Sequence, residues 1–129
     1  VVTMPTIPQV RMTRRLKGKF EINMTHTETF FEDSIGLIGG WRKKDVRVEI
    51  PFSALYGTKI KNLISAGRCI SSEGDMWDLT RVIPCCAVTG QAAGTAAAIC
   101  DDFDNLPPAK LQNKLRDAGV LIHISDVIK

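Results

Sequence analysis

The chain has 129 residues, 44% of them hydrophobic and 24% charged, a balance that excludes a disordered tail and suits one globular domain or a piece of one. A net charge of +3 is too small to point by itself to nucleic acid or to an anionic membrane. Four cysteines (Cys69, Cys85, Cys86, Cys100) without C-x-x-C spacing, and two distant histidines (His26, His123), fit no zinc framework, so no metal is assigned and the thiols read as reduced in a cytoplasmic setting.

Pro5 and Pro8 predict an extended lead-in. From Leu16 to Ile22 the pattern alternates, with Leu16, Gly18, Phe20 and Ile22 on one side and Lys17, Lys19 and Glu21 on the other, which predicts a strand with one packed face. Thr27–Phe31 suits a short helical turn, and the glycines of Ser34-Ile35-Gly36 and Gly39-Gly40-Trp41 read as loop. Val46, Val48 and Ile50 alternate with Arg47 and Glu49, a second half-buried strand that stops at Pro51, followed by a turn over Ser53–Tyr56. Asn62–Gly67 is an uncharged apolar run ending in glycine, the pattern of a central parallel strand covered on both faces. The loop that leaves it, Arg68-Cys69-Ile70-Ser71-Ser72, would then lie where α/β sheets bind ligands.

Val82 to Cys100 contains no charge. Its alanines favour helix, with Pro84 in the first turn. Pro84, Gly90, Gln91 and Gly94, the scarcity of Leu, Ile and Phe, and the closely bounding Arg81 and Asp101-Asp102 argue against a membrane span. A helix without a polar stripe needs cover nearly all round, and small residues at Gly90, Ala93, Gly94 and Ala97 admit a backbone or a flat ligand. The rest of the chain is too small to supply that cover. A missing partner is therefore expected: another part of the same polypeptide or another subunit, including a second copy meeting the apolar surface. After Pro107-Pro108 a last helix packs Leu111, Leu115 and Ala118 and ends at Gly119, and Val120, Leu121, Ile122 and Ile124 suggest a terminal strand.

Two stretches resemble FAD-dependent oxidoreductases of the glutathione-reductase-like flavoprotein family: Asn62-Leu63-Ile64-Ser65-Ala66-Gly67-Arg68-Cys69-Ile70-Ser71, and Arg81-Val82-Ile83-Pro84 followed by Thr89-Gly90-Gln91-Ala92-Ala93-Gly94-Thr95-Ala96-Ala97-Ala98. Arg11–Gly18 and Leu111–Gly119 are similar to further segments of that family, so the likeness spans most of Arg11–Ile122. The resemblance implies the carboxy-terminal portion of such an enzyme and an α/β fold. On that reading residues 1–57 end an inserted substrate or sheet domain with a mixed β-sheet, and 58–129 form the return segment of a Rossmann-like FAD-binding domain. The family's Gly-x-Gly-x-x-Gly loop is not reproduced by Gly36, Gly39, Gly40 or Gly57, so the amino-terminal FAD-binding segment is expected elsewhere in the polypeptide and this part alone is expected to be inactive. Ser72-Glu73 stands where many relatives carry a histidine, and no catalytic residue is transferred.

The cofactor-binding residues that the resemblance implies are Gly67, Arg68, Cys69 and Ile70, beside the ribityl chain, and Thr89, Gly90, Gln91 and Ala92, beside the pyrimidine edge of the flavin. A helix amino-terminus at the second segment would offer free N–H donors to reduced flavin, and ~1 kcal/mol of such bias raises a two-electron potential by roughly 20 mV. The bland alternatives are an Arg68 that pins its own loop, an Arg81 paired with Asp75, Asp78 or the missing domain, cysteines that act as small buried hydrophobes, a Trp77 that plugs the core, and a basic strip (Arg11, Arg14, Arg15, Lys17, Lys19) that is a solvated face. The reading is thus an oxidoreductase with a small organic substrate. The alternative is a non-catalytic module that presents an apolar helix to a partner; nucleic acid and membrane are not expected partners.

Overall fold

Val48 and Ile50 do form the inner face of a strand, β2 (Arg47–Pro51), with Val46 just ahead of it, in the computed structural model, which describes residues 11–41 and 45–127. The lead-in around Pro5 and Pro8 lies outside those residues. The partner of β2 is β1 (Ser34–Gly39), antiparallel, with Ile38 opposite Val48 and Leu37 opposite Glu49. The glycines of β1 argued for a loop, and the structure overturns that. The register shifts between Ser34 and Leu37, and Gly36 lies in that interval at φ +146°, where a Cβ would stand 2.8 Å from Val88 Cγ1. The glycine marks a strand with a bulge that another element approaches closely, not the end of a strand. Alternation also placed Glu49 on the polar face, yet it is 1% exposed. Its Oε2 accepts Phe31 N–H at 2.9 Å and faces His123 Nδ1 at 3.0 Å, while Oε1 accepts Ile124 N–H at 2.9 Å.

Leu16–Ile22 runs extended, and its exposure alternates roughly as expected, but it is not a ladder strand. Its N–H groups go to several segments: Leu16 to Cys69 O, Lys19 to Tyr56 O, Phe20 to Ser53 O and Ile22 to Ser71 O. Only Ile22 makes a bridge, with Ser72. The helical turn expected at Thr27–Phe31 lies instead at Met24–His26, where Asn23 Oδ1 accepts Thr25 N–H at 3.0 Å. Glu28 sits at φ +56°, held by the Arg47 amide and guanidinium, which stops a helix from continuing.

The turn after β2 is a 3₁₀ turn at Phe52–Ala54. Asn62–Gly67 is not a covered central strand: Ile64 makes one bridge to Tyr56, Ser65 N–H bonds Leu55 O, and Leu63 is 48% exposed. Among the described residues no further strand lies beside it, so the run stays extended but half open. Helices α1 (Asp75–Thr80), α2 (Ile83–Ile99) and α3 (Pro108–Asp117) follow. The limits of α2 match the expectation, with Pro84 in its first turn, and no helix among the described residues is long and apolar enough to cross a membrane. Its inner face is Cys85, Thr89, Ala92, Ala93 and Ala96, so Ala93 lies inside rather than on the open side.

Leu111 and Leu115, each 1% exposed, anchor α3, while Ala118 is exposed, contrary to expectation. Gly119 at φ +83° ends the helix and Val120 N–H returns to Leu115 O. Gln112 Nε2 donates to Glu32 O at 2.8 Å and Ser34 O at 3.0 Å, which ties α3 to β1. The expected terminal strand is absent: Ile122 fills the core and a 3₁₀ turn follows at Ile124–Asp126. The donors a strand would need are already used, since Asp126 Oδ2 accepts Ile122 N–H and His123 N–H, each at 2.9 Å. The His123 N–H chiefly holds Asp126 below the ordinary carboxyl range, helped by Ile122 N–H and Arg116 and opposed by partial desolvation. A lowered folded pKa contributes stability above the unfolded pKa that is lost as pH falls through the folded value. Asp126→Asn should therefore flatten the acid limb of urea midpoints measured from neutral pH to about pH 3; parallel curves for the two proteins would contradict it.

Candidate functional site

The two segments singled out in the sequence meet. Gly67–Cys69 forms a 3₁₀ turn that begins at φ +72°, and the Gly67 N–H donates to Thr89 Oγ1 at 2.8 Å. Thr89 is fully buried and its hydroxyl donates to Cys85 O at 2.7 Å, so one side chain locks the turn onto α2. The fit is close: a Cβ at position 67 would lie 3.4 Å from Cys86 Sγ. On the other side, Leu16 N–H bonds Cys69 O at 2.7 Å and Trp77 Nε1 donates to Arg68 O at 2.7 Å.

The remaining predicted residues divide by face. Arg68 and Cys69 are exposed, Ile70 is buried, Gly90 and Gln91 are exposed, and Ala92 is buried. Ile70 and Ala92 thus support the surface from beneath. The Arg68 guanidinium makes no hydrogen bond with a described residue, so it does not pin its own loop; the Arg68 carbonyl does that through Trp77. Trp77 is a half-buried bracket, with the Arg15 guanidinium 5.9 Å above its ring, rather than a core plug. Arg81 pairs with Asp78 at 2.8 Å, the structural role expected of it. In the basic strip Arg15 pairs with Glu21 and Lys19 with Asp104, while Arg11, Arg14 and Lys17 are exposed. At Ser72-Glu73, Ser72 Oγ and Thr80 Oγ1 share a bond of 2.7 Å and Glu73 accepts from Asn23.

All four thiols are free. Cys85 behaves as the small buried hydrophobe expected, its thiol pushed up to about 12 by burial, with Cys86 adding. Cys69, in contrast, is exposed. Among the described residues no group of three or more His, Cys, Asp or Glu is placed to hold a metal ion.

One expectation is corrected. Thr89–Ala92 is not a helix amino-terminus: α2 starts at Ile83, so these N–H groups lie beyond the first turn and are used within the helix. What the segment offers is a surface. Ile83, Ala87, Gly90, Gly94 and Ala97 recur at helical spacing and all are exposed, Ile83 at 81%. A Cβ added at Gly90 or Gly94 would meet nothing within 4 Å. Ala87 was missed as part of this stripe because its spacing shows only once the helix phase is known.

Comparison with curated proteins and with solved structures gives no match. The family model described as FAD dependent oxidoreductase matches residues 1–115, most of the chain, and the protein belongs to that family.

Proposed function

We propose that this chain forms the flavin-ring and ribityl side of an FAD site in a glutathione-reductase-like enzyme, which passes electrons or hydride between FAD and a small organic substrate. The observation that carries this reading is the Gly67–Thr89 bond, which sets the turn beside the bare Gly90–Gly94 stripe of α2. A ring can lie flat where no Cβ stands, and the exposed Arg68 is available to a polar edge of the ligand. Ile70, Thr89 and Ala92 hold that surface rigid, and Gly67, Cys69, Gly90 and Gln91 form it. FAD, when bound, supplies the redox chemistry.

On this reading residues 1–57 close an inserted sheet domain, with β1–β2 as part of it, and 58–129 return to a Rossmann-like domain whose neighbouring strands flank Asn62–Gly67. The adenine and pyrophosphate are held by an FAD-binding segment outside this chain. Calorimetric titration of the chain with FAD should accordingly show no saturation in the micromolar range, and micromolar or tighter affinity overturns the division of labour.

The stripe gives a sharper prediction because stability and function part company there. Gly90→Ala and Gly94→Ala should each stabilise the chain by about 0.5–1 kcal/mol, since helix-interior glycine is costly and space is free. In the intact flavoprotein the same methyls should weaken flavin retention about ten-fold, as added bulk against a fitted ligand does. A second reading, a non-catalytic assembly module, uses the same stripe to seat another helix or a second copy. Unchanged flavin content together with altered sedimentation in these variants selects it.

A further inference from the structure

The Gly67–Cys69 turn is fastened on both sides of Arg68. Ahead of that residue, Gly67 N–H donates to Thr89 Oγ1 at 2.8 Å. Behind it, Trp77 Nε1 donates to the Arg68 carbonyl at 2.7 Å, and Leu16 N–H donates to Cys69 O at 2.7 Å. The Leu16 bond is backbone to backbone, and any residue but proline could supply it. Trp77 differs, because it reaches out of α1 with a side-chain N–H, the one hydrogen-bonding group an indole has.

The indole is itself held. The Arg15 guanidinium lies 5.9 Å over its ring and pairs with Glu21, while Trp77 N–H bonds Gly74 O at 3.1 Å. A half-buried ring backed in this way is a fixed donor. Arg11 and Arg14 are exposed as Arg68 is, so an exposed charge does not single Arg68 out. The clamp on its backbone does. With the peptides before and after it both tied down, the Cα–Cβ direction of Arg68 is set, and only its own side-chain torsions are left to order when a ligand arrives.

We propose that Trp77 is a positioning residue of the flavin site, whose indole N–H fixes the Arg68 peptide and so aims the guanidinium at the polar edge of the bound ring. This role rests on the flavin reading of the same turn. Trp77 acts through Arg68.

Trp77→Phe keeps a ring beneath Arg15 and deletes the donor. In the chain alone, amide exchange at Gly67 and Leu16 should quicken about five-fold, the worth of one ordinary hydrogen bond, while the amides of the β1–β2 ladder keep their rates. Unchanged exchange at Gly67 and Leu16 overturns the proposal without reference to any cofactor. In the intact flavoprotein, Arg68→Ala should weaken flavin retention about ten-fold and Trp77→Phe about five-fold, and the double variant should lose no more than Arg68→Ala alone. Independent effects, multiplying to about fifty-fold, overturn the role and leave the flavin reading standing. A benzothiophene in place of the indole, alike in shape but without the N–H, should reproduce Trp77→Phe; parent-like flavin affinity there counts against the proposal. Trp41→Phe, which removes a 3.4 Å bond to Asp78 O elsewhere on α1, should match the parent, and an equal loss there also overturns it. An intact protein that binds no flavin sinks the flavin reading and this role together.

Discussion

Glu49→Ala is expected to lower the unfolding free energy by about 3–5 kcal/mol, as much as truncating a large core side chain. The substitution strips the acceptor from two backbone N–H groups, Phe31 and Ile124, and from the His123 ring at once. With Glu49 1% exposed, water does not easily take its place, and each orphaned donor bears its own desolvation cost. Typical domains hold only about 5–15 kcal/mol in reserve, so the loss is a large part of the whole. Glu49→Gln keeps one oxygen and turns an NH₂ towards a donor, and should fall between the two at about 1–3 kcal/mol. Urea unfolding followed by tryptophan fluorescence measures both. An alanine variant within about 1 kcal/mol of the parent would mean that Glu49 is hydrated rather than enclosed.

Gly36→Ala should cost about 2–4 kcal/mol for two separable reasons. The new Cβ would stand 2.8 Å from Val88 Cγ1 and 3.4 Å from Val120 Cγ1, and the backbone sits at φ +146°, which L side chains rarely adopt. Val88→Ala removes the first obstruction and leaves the second. The double variant should therefore recover about 1–2 kcal/mol of the single-variant loss as a coupling energy, not all of it. Full additivity of the two substitutions would show that the hairpin and α2 do not press on each other at this point. The effect reaches the site as well, because β1 is what holds the inner face of α2 while Thr89 receives the Gly67 turn.

These two positions also show what the sequence could and could not convey. β2 and α3 were legible because their apolar spacing matches one period throughout, and α2 because its uncharged run between Arg81 and Asp101 is rich in alanine. β1 was not, because Gly36 carries the same letter whether it bends a loop or makes room for Val88. Period-two alternation assigned Glu49 to the outside correctly for an isolated hairpin, but could not register that His123 and Ile124 would close over it from 74 and 75 residues away. Asn62–Gly67 failed for the opposite reason: an apolar run records a strand's demand for neighbours, not whether the chain provides them. At the candidate site the residues of both segments came from resemblance to a family, and their adjacency came from the fold. Thr89 as the pin, and the phase that turns Ala87, Gly90 and Gly94 outward while Ala92 and Ala93 turn inward, follow from where α2 packs. Its small residues hardly distinguish one side from another, so sequence alone could not orient it.

The Ser34–Ile122 and Glu49–Ile124 bonds close loops of 88 and 75 residues, and that has a bearing on how the molecule is born. A ribosome has finished the hairpin long before it makes the residues that seal it. Until Ile124 emerges, Glu49 keeps its water and the underside of β1 stays open, so the nascent hairpin can form but not lock. Maturation then comes late and in one step, and a polypeptide stalled shortly before Ile122 would present that open underside to chaperones or to other nascent chains.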